Sequence, residues 1–133
     1  VRVVVDTNVI IAGLVAEGLC MDIVKRRLPS CQLFTSRPLL TELADKLRTE
    51  FGLDPGELPL LKHYESRVTV VRPTPLPEQV CRDKDDDEAL ATGLAARAEV
   101  ILTGDNDLLE LKEFRGIRIL SPRQFVEMMD AAT

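Results

Sequence analysis

Four acidic positions carry the residue types and spacing in this chain that could do chemistry: Asp6, Glu42, Asp86 or Asp87, and Asp105. Asp6 closes the run Val3-Val4-Val5, and Asp105 follows Leu102-Thr103-Gly104. Asp86 and Asp87 lie in Asp83-Lys84-Asp85-Asp86-Asp87-Glu88, and Glu42 shares the apolar side of Leu39-Leu40-Thr41-Glu42-Leu43. Two carboxylates about 4 Å apart repel by about 4 kcal/mol at an effective dielectric constant of about 20. Several together must therefore take up protons or hold cations. Oxygen donors with no His or Cys beside them suit a hard ion such as Mg²⁺ or Mn²⁺. An ion held this way polarises a phosphoryl oxygen and activates water, which is the chemistry of phosphodiester hydrolysis. Each acid also has a plainer reading alone. Asp6 could cap a helix, Glu42 could be a solvated helix residue, the acidic run a solvated loop, and Thr103-Gly104-Asp105-Asn106-Asp107 an ordinary turn. Only as a set do they point to a reaction.

The elements that must position them can be read along the chain. Its 133 residues, 45% apolar and 29% charged, suffice for one domain over residues 1–133 with a real core. Strands are expected at Arg2–Val5, Gln32–Thr35, Val68–Val71, Val100–Thr103 and Ile117–Leu120. Helices are expected over Val9–Ala16, Met21–Leu28, Ser36 to about Thr49, Asp54-Pro55 through Ser66, and Asp86 to Arg97. A helical turn follows at Asp107–Lys112, and Ser121-Pro122 opens a last helix bearing Phe125, Met128 and Met129. Pro73, Pro75 and Pro77 forbid regular structure between the third strand and the acidic run. Strands alternating with helices predict an α/β fold, a three-layer α/β/α domain around a parallel sheet of five strands. In such a sheet, sites form at the carboxyl ends of the strands, the edge on which Asp6 and Asp105 fall.

A net charge of −5 excludes a basic clamp that holds nucleic acid by bulk electrostatics. No apolar run approaches the roughly 20 residues that span a bilayer, and no secretory leader is expected. Cys20, Cys31 and Cys81 are scattered without metal or disulfide spacing, so a reducing, cytoplasmic setting is expected. His63 reads as a surface or packing residue. Lys25, Arg26, Arg27, Arg37 and Arg82 are candidates for phosphate contacts.

The segments Val3-Val4-Val5-Asp6-Thr7-Asn8, Leu39-Leu40-Thr41-Glu42-Leu43, Arg82-Asp83-Lys84-Asp85-Asp86-Asp87 and Leu102-Thr103-Gly104-Asp105 together resemble the PIN-domain family over essentially the whole chain. The likeness is greatest to the branch of VapC-like toxins of toxin–antitoxin systems, with Lys84 where that branch carries a proline. The resemblance implies a Mg²⁺- or Mn²⁺-dependent endoribonuclease. It carries the acidic quartet over to Asp6, Glu42, Asp86 and Asp105, with Asp87 as the alternative third acid. Asn8 and Thr103 match accessory polar positions, and Asp107 could add an outer carboxylate. It further implies an RNA substrate, a homodimer and an antitoxin protein as partner. A phosphatase with Asp6 as nucleophile would want a second Asp where Asn8 stands, and a phosphoacceptor receiver would want paired acids after the first strand. The remaining alternative is a degenerate member that binds RNA or a protein without cutting.

Overall fold

The computed structural model describes residues 1–132. Its elements are β1 (Arg2–Val5), α1 (Thr7–Val15), α2 (Leu19–Asp22), β2 (Gln32–Thr35), α3 (Arg37–Phe51), α4 (Pro59–Arg67), β3 (Val68–Val70), α5 (Lys84–Ala96), β4 (Val100–Leu102), α6 (Asn106–Leu109), β5 (Glu113–Phe114), β6 (Ile117–Leu120) and α7 (Pro122–Ala131). The strands form one sheet in the order β3-β2-β1-β4-β6-β5. All neighbours pair in parallel except β5, which runs antiparallel to β6. The five parallel strands are those expected from the sequence. The sixth is an addition, a two-residue edge strand turned by Arg115-Gly116, both at positive φ (48° and 87°). That is the mirror-image turn whose twist suits a hairpin, and two residues are too few to show a strand period.

The alternation of the β1 valines sets the layers. Val3 and Val5 face a core with Ile10 of α1, Leu43 and Leu47 of α3, Leu61 of α4 and Phe125 of α7. Val4 faces the other way, onto a core with Ala89 and Leu90 of α5 and Leu108 of α6. Successive strand residues point to opposite faces, so three valines in a row demand cover on both sides. At Gly93 of α5, a Cβ would lie 2.9 Å from Ile101 Cδ1. The missing side chain lets α5 pack tightly on β4.

Several helix boundaries differ from the sequence reading: the expected Met21–Leu28 helix is α2 followed by a π-helical turn at Ile23–Arg27 and a 3-10 turn at Leu28–Ser30, and two others shift for plain local reasons. The stretch from Asp54 to Ser66 divides into a 3-10 turn, Pro55–Glu57, and α4. Leu58 precedes a proline and is driven to extended backbone (φ −102°, ψ 104°), which interrupts the helix. Helix α5 begins at Lys84 rather than Asp86, because the Asp83 carboxylate accepts the Asp85 N–H at 2.9 Å and caps it earlier.

Phe125 is fully buried and ties α7 to the sheet. Phe125→Ala is expected to cost about 3–5 kcal/mol through the cavity it leaves. In urea unfolding the midpoint should fall with an unchanged slope, and Phe125→Leu should fall between the two.

Candidate active site

The strand order reverses direction between β1 and β4. From β1 the chain winds outward through β2 to β3, then returns through α5 to β4 on the other side. The two loops leaving the carboxyl ends of β1 and β4 part here and open a crevice. Val5 lies opposite Leu102 in the register, so Asp6 and Thr103 are the next pair along. The Asp6 N–H donates to the Leu102 carbonyl at 2.8 Å, continuing the ladder one residue past the strand.

Asp6 occupies the N-cap position of α1 but makes no side-chain cap bond. Its Oδ2 instead accepts from the Thr103 hydroxyl at 2.8 Å. Thr103, wholly buried, in turn accepts the Asp105 N–H at 3.0 Å. One hydroxyl therefore ties the Asp6 carboxylate to the backbone of the Asp105 loop. Asp105 is the N-cap of α6, its Oδ1 accepting from Asp107 N at 2.8 Å and Leu108 N at 3.4 Å. The plain capping role thus applies to one oxygen of Asp105 and not to the Asp6 side chain.

Asp86 projects from the first turn of α5 and is 6% exposed, and its Oδ2 is buried without a hydrogen-bond partner. Burial raises its pKa to about 7, reinforced by the charges of Asp105, Asp6 and Asp83 and by the closeness of the Asp105 carboxyl. Carboxylate oxygens of Asp86, Asp105 and Asp107 lie within 4.8 Å of one another. Glu42, on α3, likewise has a buried, unpartnered Oε2. Burial raises its pKa to about 7, the neighbouring Asp85 carboxyl adds to the rise, and Thr7 and Lys46 oppose it. Burial also raises Asp6; the Thr103 bond lowers it, Asp105 raises it and Lys46 lowers it.

Orphaned carboxylate oxygens are costly inside a protein. Here Asp86 lies among the carboxylates of Asp105 and Asp107, Glu42 lies by that of Asp85, and the donor set is all oxygen. That combination fits a hard divalent cation at Asp86, Asp105 and Asp107, whose oxygens cluster, with Asp6 coupled to Asp86 and Asp105 by charge.

Of the remaining expected residues, Asp87 is turned away. Its Oδ1 and Oδ2 accept from the Cys81 and Val80 N–H groups at 2.7 and 3.0 Å, holding the loop that leads into α5. A helix turns about 100° per residue, so Asp86 and Asp87 cannot both face the crevice. Asn8 is exposed, and its Oδ1 accepts from Lys46 Nζ at 3.3 Å. Asp107 is shared between the acidic rim and a two-pronged pair with Arg82, at 2.8 and 3.2 Å. Arg26 pairs with Asp22, and Arg27 with Asp22 and Asp130, so these expected phosphate-binding candidates are already engaged. Sequence reasoning missed Lys46 and Asp85. Lys46 stands four residues after Glu42, a spacing that puts both on one side of α3 and was the available signal. Asp85 carried no signal within its acidic run.

Among the described residues no helix is long and apolar enough to cross a membrane. The family model described as PIN domain matches residues 2–107. No curated protein matches the chain.

The raised carboxyls set a pH dependence for the metal-free protein. Asp86 and Glu42 titrate near 7 when folded and near 4 when unfolded, so between these values the folded state binds more protons. Stability should therefore fall as pH rises from about 4 to about 7. Asp86→Asn should raise the Tm of the metal-free protein at pH 7.5 by about 5 °C and flatten this slope, as read by differential scanning calorimetry. A divalent ion should restore wild-type stability at pH 7.5 and help the variant less.

Proposed function

Because the chain belongs to the PIN-domain family, whose members are generally nucleases, we propose that it is a Mg²⁺- or Mn²⁺-dependent endoribonuclease and the toxin component of a toxin–antitoxin pair. The observation that carries the nuclease reading is the buried, unpartnered carboxylate oxygen of Asp86 within the cluster it forms with Asp105 and Asp107, with a second such oxygen on Glu42. When bound there, a divalent ion would supply charge for the phosphoryl oxygens and an activated water for in-line hydrolysis. The protein's own part is positional. Thr103 holds Asp6 through Oδ2, the α6 cap holds Asp105 through Oδ1, and Lys46 keeps a cation beside Asp6, Glu42 and Asn8. Cleavage would leave a 5′-phosphate and a 3′-hydroxyl. The toxin role, the antitoxin partner and the homodimer rest on the likeness of the sequence to the VapC-like branch.

Asp6→Asn and Asp105→Asn should each lower Mn²⁺-dependent cleavage of a single-stranded RNA at least about a hundredfold while leaving the fold intact by circular dichroism. Cleavage at the wild-type rate would refute the assignment. Failure of calorimetry to detect Mn²⁺ binding would favour the non-cutting alternative. For the toxin role, induced expression of the wild type should arrest bacterial growth and that of Asp6→Asn should not.

A further inference from the structure

We propose that the groove between α7 and the β5–β6 edge is the track along which the phosphates of a single-stranded RNA run as it leaves the acidic crevice, with Lys112, Arg118 and Arg123 binding them. This rests on the nuclease reading and adds where the substrate lies. The groove has a volume of about 510 Å³, and Leu109, Ile119 and Leu120 contribute its apolar lining. Its upper end adjoins the crevice. Leu102 lies opposite Leu120, so Ser121 follows beside Thr103, and the Thr103 N–H donates to the Leu120 carbonyl at 3.0 Å. From Ser121 the groove runs back along β6 to Arg118, three residues or about 10 Å at a strand's rise of about 3.3 Å per residue.

The charge of this groove contrasts with the net acidity of the chain. The chain is net acidic, at −5. Arg26, Arg27 and Arg82 each have a carboxylate within 4.0 Å, whereas Lys112, Arg118 and Arg123 have none among the described residues and are all exposed. Lys112, Arg118 and Arg123 thus share one groove whose lining holds a single carboxylate, that of Glu127, with Glu113 opposite Arg118 in the β5–β6 pair. Lys112 is held at φ 60°, a conformation in which Gly or Asn is the usual residue. A polyanion satisfies such a set, and the groove's end at Ser121 lies one strand over from Thr103 at the crevice. None of its lining side chains is aromatic, so the strand is held by its phosphates, with little sequence preference.

The test compares two double variants that remove equal charge from exposed positions: Arg118→Ala/Arg123→Ala in the groove, and Arg48→Ala/Lys62→Ala on α3 and α4. Binding of a fluorescent 12-nucleotide oligouridine is measured by anisotropy in Ca²⁺ buffer across a salt series, and Mn²⁺ binding by calorimetry. The groove variant should bind about tenfold more weakly, and its slope of log K against log salt should be shallower by about 0.7 for each phosphate left without its cation. Its Mn²⁺ affinity should equal the wild type's, and the control pair should leave both affinity and slope near wild type. Equal weakening by the two variants, or none by the groove variant, overturns the track. A wild type that binds Mn²⁺ but no RNA overturns it as well, and that result, unlike the others, removes the RNA reading too.

Discussion

The rest of the structure is arranged around negative charge that the fold gathers and does not itself neutralise. Asp6, Asp86 and Asp105 come from three segments, and burial removes the water that would otherwise screen Asp6 and Asp86. Lys46 lowers the cost at Asp6 and Glu42 but leaves both carboxyls raised. The two orphaned oxygens mark where compensation is missing. A domain of this size has only about 5–15 kcal/mol of net stability, so this concentration of acids is tolerable only on a rigid frame.

The frame is the parallel pairing of β1 with β4. Backbone hydrogen bonding continues past Val5 to the Asp6 N–H, and Thr103 adds a side-chain bond between the two loops. Both loops are therefore anchored at the points from which their carboxylates project. The valines of β1 supply the anchor's other half, by filling cores on both faces of the sheet. Packing of α5 against β4, made close by Gly93, sets the height at which Asp86 reaches the crevice. Position and electrostatics are thus coupled: the same burial that orders the acids raises their affinity for protons or a cation.

Division of labour among the acids follows from helix geometry. Asp85, Asp86 and Asp87 are consecutive, yet they serve three surroundings. Asp85 meets Glu42, Asp86 meets Asp105 and Asp6, and Asp87 binds the backbone of the loop before α5. The arginines divide similarly. Arg26, Arg27 and Arg82 are paired with carboxylates, whereas Arg118 and Arg123 are exposed without an ion pair among the described residues.

By itself the sequence determined the α/β/α architecture, the five parallel strands and the segments that carry the acids. Those features depend on local pattern: β-branched runs, alternating element types, and polar residues that follow a strand at once. Asp6 and Asp105 were legible because each follows its strand closely, and the direction of a parallel sheet then fixes the edge they occupy. Tertiary structure alone decided which of Asp85, Asp86 and Asp87 turns inward, because that depends on how α5 is rotated against β4. It also decided that the Asp6 side chain binds Thr103 rather than capping α1, that Lys46 stands over the acids, and that β5 forms an edge. Each of these depends on residues distant in the chain meeting, or on an element too short to have a period, and neither leaves a mark in local sequence.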